Sequence, residues 1–255
     1  MADNQVNEIQ EEVHTGHRAI PVKIVNKVIK SICKIIIQKE NGSKYYGTGF
    51  FLRITNFLKC LITNYHVLNP SSIDFQIEIE IWNQKKVKLN TKNLFTKFFK
   101  QPKDITVIEI KDLDDICKDI EFLDYDYNYE QKGYKIYKDV DIFSIYHPLG
   151  DDAECASGKI IDINDFEFQH KIPTEKGASG CPIILLNNNY NLIQVIGIHK
   201  NGNYMRGING GTFIGEIIKE IKNSFIKKEN INEEIKENKD EDSNENKISI
   251  VQKFL

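Results

Sequence analysis

Three residues of this chain have the types and surroundings needed for attack on a carbonyl carbon. Ser179 stands in the run Gly177-Ala178-Ser179-Gly180-Cys181-Pro182, directly before an apolar stretch. A serine hydroxyl attacks a carbonyl only if a base takes its proton and backbone N–H groups stabilise the oxyanion that forms. Gly177 leaves its own amide unobstructed, and a glycine-permitted tight turn can aim the amides of Gly177 and Ser179 at one point as an oxyanion hole. His66 ends the run Leu61-Ile62-Thr63-Asn64-Tyr65-His66, where an imidazole can project from a strand end and act as the general base. Asp104 immediately precedes the apolar run Ile105 to Ile110, so a buried strand would hold its carboxylate at the core edge, where it can orient an imidazole.

Taken singly, these are also a Gly-Ser turn, a strand-end histidine and a strand-start aspartate. Their conjunction carries the reading: strand then His, Asp then strand, glycine turn with Ser then strand. An α/β-hydrolase runs in the order Ser, acid, His with a G-x-S-x-G elbow. Here the fifth position of that elbow is Cys181, and alternating strands and helices are missing.

The elements that must position these residues are short β-branched and aromatic runs. Residues 31–38, 45–54, 60–68, 73–82, 86–90 and 104–110 give about six strands; in the fourth, Phe75, Ile77, Ile79 and Ile81 alternate with polar residues, as one wet face requires. A polar, Asp- and Tyr-rich stretch over 112–139 reads as a linker. A second set follows at 140–146, 156–163, 166–172, 181–186 and 192–200, with a last short strand before Thr212. From residue 213 the period changes: Phe213, Ile217, Ile218, Ile221 and Phe225 share a helical face, so an amphipathic helix over 213–228 closes the domain. The fold class is all-β, two six-stranded antiparallel sets (22–111 and 140–228) with a C-terminal helix. Residues 1–21 read as a flexible arm and 229–255 as a charged, disordered tail.

A net charge of −3, with the acidic excess at the two ends, leaves a near-neutral middle without the basic stripe of a nucleic-acid binder. No segment approaches the apolar length of a membrane span. The start lacks a basic region followed by an apolar one, and the five cysteines form no C-x-x-C pair, so free thiols and an intracellular location are the expectation. No metal set or cofactor is indicated; His14 and His17 have no spaced partner.

These motifs resemble the trypsin-like serine peptidases, in particular the disulfide-poor Deg/HtrA and bacterial glutamyl endopeptidase types. The likeness covers about residues 30 to 226. It rests on Gly47-Thr-Gly-Phe-Phe-Leu52, Ile62-Thr-Asn-Tyr-His-Val67, the Asp104 strand, His147-Pro-Leu-Gly150 with Ser157-Gly-Lys159, Gly177 to Ile183, and Val195-Ile-Gly-Ile-His-Lys200. The resemblance implies a chymotrypsin-like two-barrel fold and a serine endopeptidase acting through an acyl-enzyme on protein or peptide substrates. It further implies His66 as base, Asp104 as orienting acid, Ser179 as nucleophile, and the Gly177 and Ser179 amides as oxyanion hole. Two positions depart from the secreted digestive members: Val67 replaces a cysteine after the histidine, and Ala178 replaces an aspartate before the serine. The second change removes the carboxylate that would pair with a freed N-terminus. Glutamyl endopeptidases carry a threonine and a histidine where this chain has Thr174 and His199, which implies cleavage after Glu or Asp, with Lys200 or Arg206 adding positive field. The alternatives are a packed His199 in a pocket of other preference, and a protease-like fold used as a silent binding or scaffold module.

Overall fold

A computed structural model describes residues 19–72, 76–89, 94–111, 118–186 and 193–224. The expected arm up to residue 18, the tail from 229 and the last residues of the closing helix lie outside the described residues.

The first sheet contains β1 (Ile32–Gln38), β2 (Lys44–Arg53), β3 (Lys59–Thr63), β4 (Gln76–Ile81), β5 (Lys86–Lys88), β6 (Thr96–Phe99) and β7 (Ile105–Glu109). They pair in the order β5-β4-β1-β2-β3-β7-β6, all antiparallel. β1 is buried along nearly its whole length because it lies between β2 and β4 with both faces covered. β4 keeps the alternation visible in the sequence, with Ile77, Ile79 and Ile81 turned into the core. The sheet has one strand more than the six expected: Thr96-Lys-Phe-Phe99 pairs with β7.

β8 (Asp124–Tyr125), β9 (Asp141–Tyr146), β10 (Glu154–Asn164), β11 (Glu167–His170), β12 (Pro182–Leu185), β13 (Gln194–Asn203) and β14 (Ile208–Phe213) form the second sheet, in the order β12-β9-β10-β11-β14-β13-β8. The pairing of β12 with β13 closes six of these strands into a barrel. β8 joins it parallel to β13, inside the stretch read as a linker. That stretch also holds a short helix α2 (Asn128–Lys132), while α1 (Val22–Val28) precedes β1. The sequence reading held no helix at either place. The closing helix α3, over 215–224, is seen as expected, with Ile217, Ile218 and Ile221 buried.

Each barrel has its own interior: Ile35, Phe51, Leu61, Ile79 and Ile108 in the first, Ile142, Ile160, Phe168, Ile183 and Phe213 in the second. A third cluster lies between the barrels, where Phe50, Ile62 and Val107 meet Phe143, Ile184 and Ile198, with α1 and α3 contributing Val28 and Ile217. Each such side chain contributes about 1.5–3 kcal/mol on burial. The two barrels are therefore joined by an apolar seam, and the candidate residues lie along it.

Candidate active site

His66 is presented by a turn that begins directly after β3, where the Val67 and Leu68 amides both donate to the Asn64 carbonyl, at 3.2 and 3.0 Å. Asp104 caps the start of β7 with no exposed surface and a left-handed φ of 58°. That conformation is one aspartate tolerates better than most residues. Asp104 holds the histidine turn through every acceptor it has. Its carbonyl accepts from the Tyr65 amide at 3.1 Å and from Asn64 Nδ2 at 3.0 Å. Its carboxylate accepts the His66 amide at 2.9 Å through Oδ1 and meets His66 Nδ1 at 2.6 Å through Oδ2. An ionised carboxylate only accepts, so Nδ1 carries the ring proton and Nε2 is left as a free base facing outward.

Ser179 sits on a turn with two glycines at positive φ, Gly177 at 102° and Gly180 at 92°. A Cβ at Gly180 would strike the Thr48 carbonyl and the Thr63 hydroxyl, and one at Gly177 would strike the His147 carbonyl, so both positions need glycine. The amides of Ala178, Gly180 and Cys181 are taken by the carbonyls of Glu175, His199 and Ala178, at 3.1, 3.1 and 3.0 Å. Among the described residues, the amides of Gly177 and Ser179 have no protein acceptor. Two unspent N–H groups flanking a serine are what a developing oxyanion requires.

Thr48, on β2 of the other barrel, fixes this turn and was not singled out from the sequence. Its amide donates to the Ser179 carbonyl at 2.9 Å, and its hydroxyl donates to the Gly177 carbonyl at 2.9 Å. The same hydroxyl accepts the His147 amide at 3.1 Å.

His66, Ser179 and Gly177 open on one cleft of about 480 Å³, bordered also by Tyr45, Tyr46, Val67 and Lys176. Among the described residues no hydrogen bond joins Ser179 Oγ to His66 Nε2. In resting sites of this chemistry that contact commonly tightens only when substrate is bound.

The other candidates separate. Thr174 is partly exposed on the segment leading to the Ser179 turn. His199, on β13, is buried, and its Nδ1 lies 3.2 Å from His170 Nε2. The Ile172 amide donates to His170 Nδ1 at 3.3 Å. His170 was read from sequence only as a strand residue; its inward register, two residues after Phe168, was the available signal. Burial, with a smaller contribution from His66, pushes the His199 imidazole down to about 4, and burial holds His170 well below the usual range. Both are therefore neutral near pH 7. Lys200 faces away from the cleft. Its ammonium pairs with Glu167 and donates to the Pro102 carbonyl at 2.9 Å, at a point where the β13–β14 register shifts between His199 and Asn201. The positive field expected from it at a substrate carboxylate is spent on those partners. Arg206 is exposed in the turn after β13.

Among the described residues no three His, Cys, Asp or Glu side chains are grouped to hold a metal. Cys33, Cys60, Cys155 and Cys181 are free thiols; Cys117 lies outside the described residues. No described helix is long and apolar enough to cross a membrane.

No sequence-family model matches the chain, and no curated protein sequence matches it. Solved structures do match, and they define its fold as the two-barrel fold of trypsin-like serine proteases. A serine endoprotease from Yersinia pestis superposes with a TM-score of 0.58 at 14% identity, over 80% of this chain and 68% of that one. The Rv3671c protease from M. tuberculosis superposes in its active form with a TM-score of 0.55 at 16% identity, over 84% and 91% of the two chains. Its inactive form gives 0.52 at 16% identity, over 76% and 88%.

Proposed function

We propose that the chain is a serine endopeptidase that hydrolyses peptide bonds through an acyl-enzyme on Ser179. The observation that carries this is the grouping of a carboxylate-held imidazole and a serine on one cleft, with two unspent amides beside the serine. In this reading His66 Nε2 takes the Ser179 proton as Oγ attacks, and the Gly177 and Ser179 amides hold the oxyanion. His66 then returns the proton to the departing amine. Water repeats the sequence to release the acid. The proteases that share the fold support peptides as the substrate class. The test is labelling with a fluorophosphonate: an adduct on Ser179, lost in Ser179→Ala and strongly slowed in His66→Ala, is expected. A folded protein that takes no label at Ser179 would sink the reading.

The finer proposal is cleavage after Glu or Asp. The support is a chain of tautomers: the Ile172 amide makes His170 Nδ1 an acceptor, so His170 carries its proton on Nε2 and donates to His199 Nδ1. His199 then carries its own proton on Nε2, the donor proposed for a substrate carboxylate, with the Thr174 hydroxyl as the second. Profiling on peptides that differ only in the residue before the cleaved bond tests it, with faster turnover after Glu than after Leu or Arg expected.

A further inference from the structure

The cleft extends well beyond what the attack on the carbonyl needs. In the specificity proposal above, the residue before the cleaved bond meets Thr174 and His199, neither of which lines this cleft. The departing amine leaves on the side of His66, which must protonate it. From His66 the cleft continues between Val67, Asn69 and Ser71–Ser72 on one wall and the β1–β2 hairpin on the other, where Ile37, Lys39, Tyr45 and Tyr46 border it. This is the path of the residues that follow the cleaved bond.

The charges along that path have one sign. Besides His66, the charged residues lining it are Lys39 and Lys176; Glu40 and Glu175 adjoin them in sequence but do not line the cleft. Among the described residues neither lysine has a carboxylate partner. Lys39 is steadied instead by Tyr45, with Nζ 3.2 Å from the phenol oxygen and 4.3 Å from the ring centre. Such a contact leaves the ammonium's charge uncompensated. The Tyr46 ring is fixed in turn by Gly150, where a Cβ would lie 2.6 Å from it. Both tyrosines remain about half exposed, at 52% and 40%. The wall is thus aromatic and cationic before any ligand arrives.

We infer that this cleft selects acidic residues immediately after the cleaved bond, with Lys39 and Lys176 as the residues that determine the preference. The inference rests on the endopeptidase reading of the site. An extended segment lying against Tyr45 and Tyr46 brings its first few side chains within the field of both lysines, and basic residues there meet like charge.

The test uses internally quenched peptides that are identical up to the cleaved bond and carry Glu, Ala or Lys in the three positions after it. A chromogenic anilide with no residues after the bond is run in parallel. The full chain should turn over the Glu series faster than the Lys series by about tenfold in kcat/KM at low salt, about two- to fivefold from each lysine, shrinking as salt is added. Lys39→Gln should reduce the Glu-to-Lys ratio by its share, and Lys39→Gln with Lys176→Gln should bring it near one. The ratio is internal to each variant, so a general loss of activity does not obscure it. Anilide hydrolysis by the wild type with equal Glu and Lys turnover, or a ratio that Lys39→Gln leaves unchanged, overturns this inference and leaves the endopeptidase standing. No anilide hydrolysis and no label on Ser179 overturns both.

Discussion

Asp104 grips His66 at two points, accepting the backbone amide through one carboxylate oxygen and meeting the ring nitrogen through the other. The first contact sets where the turn sits and the second sets which ring nitrogen is free. Asp104→Asn keeps the shape but allows the amide NH₂ to face Nδ1, so the proton moves to Nε2 and the base is lost. A fall in kcat of about four orders of magnitude is expected, with little change in thermal midpoint. Single-turnover kinetics with an ester substrate measures it; a fall under tenfold would contradict the tautomer argument.

Thr48 ties the Ser179 turn to the opposite barrel. Thr48→Val keeps volume but leaves the buried Gly177 carbonyl and His147 amide without their partner, at a cost of about 1–3 kcal/mol in stability. The turn loosens as well, so kcat should fall about ten- to a hundredfold while KM changes little, and Thr48→Ser should restore both. Urea unfolding and steady-state kinetics on the three proteins are the measurement. A Thr48→Val protein with unaltered kcat would show that the turn needs no brace.

His199 and Lys200 are neighbours in sequence with opposite tasks. His199→Ala should lower kcat/KM for substrates cleaved after Glu by about ten- to a hundredfold more than for those cleaved after Leu. Lys200→Met should lower all of them alike, because it frees the Pro102 carbonyl two residues before Asp104. Equal losses on Glu and Leu substrates in His199→Ala would remove the acidic-pocket proposal.

Burial lowers the proton affinity of His147, His170 and His199. Above the ordinary imidazole value of 6.5 all three are neutral in both folded and unfolded chains, and they add no slope. As pH falls below 6.5 the unfolded chain takes up protons that the folded chain refuses, so stability declines until His199 itself begins to protonate near 4. His199 alone accounts for about 3 kcal/mol over that window. Urea midpoints should therefore drop between about pH 7 and about pH 4.5, and His170→Gln with His199→Gln should flatten the drop. A midpoint independent of pH would refute it.

The residues that belong to a local pattern were the ones readable without coordinates. Ser179, His66 and Asp104 each stand at the edge of an apolar run that turns out to border a strand, and the alternation of β4 was visible directly. Thr48 carries no such mark, since its bonds reach the Gly177 carbonyl across 129 residues of chain. β6 escaped because four residues, Thr96 to Phe99, are too few to show a period. α1 escaped because Val22, Ile24, Val25 and Val28 are β-branched, and their helix is held by packing against the seam rather than by propensity. The reach of Lys200 depended on a shift of register in β13 between His199 and Asn201, which periodicity alone does not reveal.

His66 and Asp104 ride on one barrel and Ser179 on the other, so the proposed catalytic group is a joint, and its tolerance is that of a hinge pin. Small changes anywhere along the seam can throttle such a device without touching a reacting atom.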